Sequence, residues 1–135
     1  MEAISTLPVT AVFVALFALC QIPITMTVGL YRAKTGIQFL DGGDQTLLKR
    51  LRAHANFTET VPMNLLAMAA AELAGAPELL LWGGGFVLLT GRLMHYATLV
   101  TSGFGTGRAL GMLLTLAPLL VFPAYVLLTI AGVTL

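Results

Sequence analysis

The chain has 135 residues, of which 58% are hydrophobic and 10% charged, with a formal net charge of +1 and a mean hydropathy of +0.93. Soluble domains carry roughly one-quarter charged residues, so this composition excludes one; there is room for four membrane-spanning helices with short connections and no separate soluble domain. The near-neutral balance offers nothing to nucleic acid, and a single cysteine, Cys20, excludes an intrachain disulfide.

Met1-Glu2 lacks the basic start of a cleavable signal, so the first apolar stretch is expected to be retained as a span over about 7–31. Pro23 within it removes one backbone donor and is expected to bend the helix, which lipid tolerates. A polar segment to Asp44 follows, with Gly36, Gly42 and Gly43 as breakers and Asp44 placed as an N-cap. The second helix is expected over about 45–74, ending at Gly75, with Pro77 opening the third over about 78–100. A helix of about 30 residues is roughly 45 Å long against a hydrocarbon core of about 30 Å, so the first turns of the second helix must project into water. The glycine-rich stretch Ser102 to Gly107 joins the third helix to a fourth over about 108–133. The predicted architecture is all-α, an integral membrane four-helix bundle forming one domain over 1–135.

Charge placement predicts its topology. Arg32, Lys34, Lys49, Arg50 and Arg52 lie between the first two spans, Arg108 lies between the last two, and Arg92 sits in the third span nearer its second end. The N-terminus, the Gly75-Ala76-Pro77 turn and the C-terminus carry no Lys or Arg, while Glu2, Glu72 and Glu78 fall on that side. Four crossings with both termini outside satisfy the positive-inside rule, and the short connections make a bacterial inner membrane with periplasmic termini the expected location.

The second helix carries the chemistry. Gln45, Lys49, Arg52, Asn56 and Glu59 follow a spacing that sets them in one polar stripe. In an antiparallel hairpin, Glu59 and Arg92 are equally far from the connecting turn, as are Asn56 and His95, so each pair is expected at one depth. An ionised side chain in hydrocarbon costs about 2.5 to 3.5 kcal/mol or more, so a structural Glu59–Arg92 ion pair tying the two helices is one reading. It leaves Arg52, Asn56, His95 and Arg108 unexplained, and those groups suit a cationic recess for a small ligand with several carboxylates. No metal is expected, because His54 and His95 stand on separate helices without a second carboxylate near either. His54 lies off the stripe and reads as an interfacial or intersubunit residue, Trp82 as an interface anchor, and Gly83-Gly84-Gly85 as a place for a neighbouring helix to approach. The pair Gly107 and Gly111, flanking Arg108, has the same packing reading.

The stretch from Arg52 through Ala53-His54-Ala55-Asn56-Phe57-Thr58-Glu59 to Pro62, with Ala71 to Pro77 and Gly91-Arg92-Leu93-Met94-His95, resembles the MAPEG family, the membrane-associated proteins in eicosanoid and glutathione metabolism. The likeness runs from about Asp44 to Arg108, and the Arg-x-x-x-Asn-x-x-Glu signature is its most specific part. The resemblance implies a homotrimer of four-helix bundles that binds glutathione between subunits near the cytoplasmic face. It assigns Arg52 to a glutathione carboxylate, Asn56 to the peptide and Glu59 to the γ-glutamyl amine, with Arg32 reaching in from the adjacent subunit. Arg108 would be the catalytic residue, stabilising the thiolate; a thiol near pKa 8.5 becomes a usable nucleophile beside a fixed cation. Arg92 and His95 complete the expected glutathione contacts.

The departures from the eicosanoid enzymes are Leu99 where they commonly carry a tyrosine, Ala109 where a prostaglandin synthase offers a serine, and Ala55 in place of a charged residue; Tyr96 is the one available substitute for the missing tyrosine. The expected function is thus a membrane-embedded glutathione S-transferase or peroxidase for lipophilic electrophiles or hydroperoxides. The alternative is a non-catalytic lipid- or fatty-acid-binding protein of the same fold. A small multidrug exporter would need a carboxylate in its first span, and none lies between Leu7 and Tyr31.

Overall fold

The computed structural model describes residues 6–133; the reading of Met1-Glu2 therefore lies outside the described residues. Four helices follow one another over residues 8–130: α1 (Pro8–Thr35), α2 (Gln45–Leu73), α3 (Glu78–Thr101) and α4 (Thr106–Ile130). They run up, down, up and down. α2 packs against the other three helices, and α3 lies along α4.

Each boundary has a local cause. α1 opens on Pro8 at its first position, where a missing N–H costs nothing, and closes at Gly36 in the left-handed conformation with φ 72°. The Asp44 carboxylate accepts from the backbone N–H groups of Thr46 and Leu47 and so caps α2 as expected. The Leu47 bond is the foremost reason the Asp44 carboxyl is held below its ordinary pKa, with Tyr31 Oη donating to it as well. Pro23, Pro62, Pro118 and Pro123 all sit inside continuous helices.

Leu7, at the N-cap of α1, supplies no side-chain cap. Glu72, at the far end of α2, supplies it: its two carboxylate oxygens accept from Val9 N at 2.9 Å and Thr10 N at 2.8 Å. A carboxylate on the first-turn amides satisfies orphan donors and opposes the helix dipole. Glu72→Ala is expected to lower stability by about 1–2 kcal/mol, read as an earlier midpoint in thermal unfolding of the detergent-solubilised protein, with Glu72→Gln intermediate.

The core is aromatic and aliphatic: Phe13 and Phe17 of α1, Phe57 and Met68 of α2, Leu81 and Leu88 of α3 and Phe122 of α4 are buried together. Outside, the surface is apolar too. Leu19, Leu66, Leu79 and Leu113, one per helix, are 64%, 64%, 86% and 63% exposed. α1 and α4 are each long and apolar enough to cross a bilayer, by length and composition.

Glycine placement differs in part from expectation. A Cβ on Gly84 or Gly85 would strike the ring of Phe122 or Phe13, while Gly83 faces open space, so this run accommodates aromatic rings rather than a neighbouring backbone. Trp82 joins that group, stacked on Phe86 with centroids 5.9 Å apart. The close backbone approach lies elsewhere, where Gly91 of α3 meets Gly111 of α4; Gly107 faces the Thr98 side chain.

Candidate functional site

Antiparallel packing gathers the C-terminal ends of α1 and α3 and the N-terminal ends of α2 and α4 at one pole of the bundle. Contacts across it confirm the arrangement. Lys49 Nζ donates to the Thr101 carbonyl at 3.2 Å, and Arg50 donates to the Thr27 carbonyl at 2.9 Å while its guanidinium lies 4.4 Å from the Tyr31 ring centroid. The opposite pole holds the Glu72 clasp and the bond from Tyr125 Oη to the Gly75 carbonyl. The cations thus concentrate at one pole.

Near that pole, Asn56 of α2, His95 of α3, and Phe104, Gly105, Arg108, Ala109 and Met112 from the α3–α4 junction and α4 line a recess of about 380 Å³. Three expected site residues, Asn56, His95 and Arg108, come together there. The Arg108 guanidinium lies 5.5 Å from the Phe104 ring centroid and donates weakly to the Gly103 carbonyl at 3.5 Å, which leaves most of its donors free. Asn56 Nδ2 donates to the Arg52 carbonyl at 3.2 Å. Because a carbonyl only accepts, this bond orients the amide and leaves Asn56 Oδ1 as an acceptor for a ligand. His95 is buried, at 3% exposure, and forms part of the recess wall.

Other expected residues lie elsewhere. Arg52 and Glu59 are exposed on the outward stripe of α2, and among the described residues Glu59 has no hydrogen-bonding or ionic partner. The Glu59–Arg92 ion pair is therefore not formed. Arg92 is 1% exposed and turns into the bundle, where Nη1 donates to Thr60 Oγ1 at 2.7 Å and to the Asn56 carbonyl at 3.4 Å. The expected level pairing put Arg92 opposite Glu59, but the side chain inclines toward the inner side of α2, where Thr60 stands. Arg92 supports the site from behind and does not line it. Arg32 donates to the Ile37 carbonyl at 3.0 Å beside a separate hollow, so within the chain it does not reach the recess.

The residues around the signature resolve as well. Leu99 is packed inside, so its position does not line the recess, whereas Ala109 does. Tyr96 Oη pairs with Thr27 Oγ1 at 3.2 Å, directed toward α1, and so does not replace the missing tyrosine. His54 pairs with Gln21 at 3.3 Å across α1 and α2. Thr60 and Glu72 lie off the stripe of charged and amide groups on α2, so its spacing gives no sign of their bonds.

A family model described as MAPEG family matches residues 10–128. The chain belongs to the MAPEG family. As a MAPEG member it is a membrane protein of a family associated with glutathione and lipid metabolism. It is also similar to the Inner membrane protein YecN of Escherichia coli K12, 34% identical over 88 residues that make up 65% of this chain and 67% of that relative. The protein of the same name from Escherichia coli O6:H1 matches to the same extent.

Proposed function

We propose that the protein is a membrane-embedded glutathione S-transferase or glutathione peroxidase for lipophilic electrophiles or hydroperoxides. The observation that carries this reading is the convergence of Arg108, Asn56 and His95, from three helices, on one recess at the cationic pole. A guanidinium with free donors, an oriented amide acceptor and an imidazole complement a tripeptide bearing two carboxylates and a thiol. The outward charges support it further. Arg52 and Glu59 continue the Asn56 stripe toward the outside of the bundle, where lipid would penalise an unpaired Glu59. A neighbouring copy in a homotrimer, with glutathione lodged in the seam, relieves that penalty and brings Arg32 to the ligand.

In this reading four spans place the cationic pole at the cytoplasmic face of an inner membrane and both termini in the periplasm, as the positive-inside rule favours. Glutathione enters from the water side, and the electrophile from lipid. The thiol proton leaves to water and Arg108 holds the thiolate, which either displaces a leaving group from an electrophilic carbon, the C–S bond forming as the leaving group departs to water with its electron pair, or attacks the peroxide oxygen. On peroxide attack the O–O bond breaks, the departing alkoxide takes a proton, and a second glutathione reduces the sulfenic acid to give the disulfide and water. Ala109 and Phe104 leave the mouth apolar, which suits hydrocarbon-bearing substrates. Titration calorimetry of the detergent-solubilised protein against glutathione is expected to show saturable binding below about 1 mM. Absence of binding at that concentration overturns the reading.

One observation favours the non-catalytic alternative: a larger groove of about 640 Å³ at the opposite pole, lined by Pro77, Leu79, Leu80, Val121, Ala124, Tyr125 and Leu128, is shaped for an acyl chain. Fatty-acid binding without any glutathione binding is the result that selects it.

A further inference from the structure

We propose that Thr60 is a positioning residue for the glutathione site, its hydroxyl coupling the buried Arg92 guanidinium to the backbone of Asn56; the inference rests on the glutathione reading. Thr60 Oγ1 accepts from Arg92 Nη1 at 2.7 Å and donates to the Asn56 carbonyl at 2.7 Å, while Arg92 Nη1 reaches that same carbonyl at 3.4 Å. One hydroxyl thus uses both its capacities on one contact between α2 and α3. The Asn56 carbonyl is fixed on its inner side by α3, and the Asn56 amide is fixed on its outer side by the Arg52 carbonyl. What remains without a bond is Oδ1, and Asn56 lines the recess.

The arrangement costs stability. Arg92 is buried with no carboxylate bonded to it among the described residues, and its Nε has no hydrogen-bond partner; Asn64 Oδ1 nearby along α2 is likewise unpartnered. Asn64 Nδ2 donates to the Thr60 carbonyl at 3.0 Å, so Thr60 is held through both its side chain and its backbone. An apolar side chain of similar volume would pack at the Arg92 position without that desolvation penalty. The guanidinium contributes a fixed donor at the depth of Asn56, and preorganised polar groups raise affinity by sparing the ligand the cost of ordering them.

Thr60→Val keeps the shape and removes the hydroxyl. It is expected to raise the glutathione dissociation constant about tenfold, with turnover at saturating glutathione held within about twofold, and Thr60→Ser is expected to restore affinity. Thr115→Val is the comparison, because Thr115 is fully buried and its hydroxyl bonds only the Gly111 carbonyl within α4, at 2.7 Å. It is expected to lower the thermal midpoint and leave glutathione affinity unchanged. Should Thr60→Val not survive solubilisation, Thr60→Ala is measured the same way. Unchanged affinity in the Thr60 variant, failed rescue by serine, or an equal loss in Thr115→Val overturns the coupling while leaving the glutathione reading standing. A wild-type protein that binds no glutathione overturns both.

Discussion

Arg108→Ala is expected to lower the rate of glutathione conjugation or peroxide reduction on the order of 10²-fold, with the glutathione dissociation constant changed far less. Arg108 is half-buried at the start of α4, and only two contacts restrain it: the Phe104 ring and one weak bond to the Gly103 carbonyl. Its remaining N–H groups carry no hydrogen bond among the described residues, and Arg108 lines the recess. In the proposed function that cation acts on the sulfur and less on the distal carboxylates, so its removal is expected to raise the thiol pKa and deplete the nucleophile. The measurement is thiolate absorbance of the bound ligand against pH. The wild-type titration should lie below that of free glutathione, and the alanine variant should return toward it. Because the thiolate form gains weight as pH rises, raising the pH should restore part of the variant's activity. Arg108→Lys should retain a fraction of the effect, since it keeps the charge but loses the planar fork. Full activity in Arg108→Ala would assign thiolate stabilisation to another group.

Gly111→Ala is expected to destabilise the bundle by about 2 kcal/mol or more and to reduce glutathione binding with it. A Cβ at Gly111 would sit 2.7 Å from the Gly91 carbonyl oxygen and 2.8 Å from both His95 N and His95 Cβ. Two of those three atoms are backbone, so relief requires α3 and α4 to separate. Gly91→Ala meets the same crossing from the other side, 2.9 Å from the Gly111 carbonyl oxygen. Close approach through small residues is how helices gain contact in lipid, where no hydrophobic force draws them together. His95 stands at this crossing and Arg108 less than one turn before Gly111, so spreading the pair distorts the recess wall. Gly83→Ala is the comparison, with open space around it; it should be neutral or stabilising by up to about 1 kcal/mol. Equal thermal midpoints for Gly111→Ala and wild type would show that the crossing is looser than described.

Much of the fold follows from composition and punctuation. The caps at Gly36 and Asp44, the Gly75 break and the glycine-rich link before Thr106 are local signals with local causes, so the four helices were readable. The site was readable in outline: the stripe spacing puts Asn56 beside the recess, and equal distance from one turn brings His95 level with it. Side-chain direction was not readable at that resolution. Arg92 could bond either Glu59 or Thr60, neighbours on α2 that differ by about 100° around the helix, and only the packed interface selects the inner one. Glu72 escaped notice for a related reason. Its partners are backbone amides more than sixty positions away, at Val9 and Thr10, and main-chain donors leave no trace in residue type.

The bond between Arg92 and Thr60 bears on how the polypeptide is laid into a bilayer during synthesis. α1 and α4 qualify as spans on their own, whereas α2 carries its polar stripe and α3 its guanidinium. While α2 is emerging from the ribosome, Arg92 has not yet been made, and the groups that later satisfy it stay hydrated. Closing the middle two helices into a hairpin at the tight turn before Pro77 satisfies Arg92 from within the chain, which lowers the cost of placing it in lipid between two segments apolar enough to cross unaided.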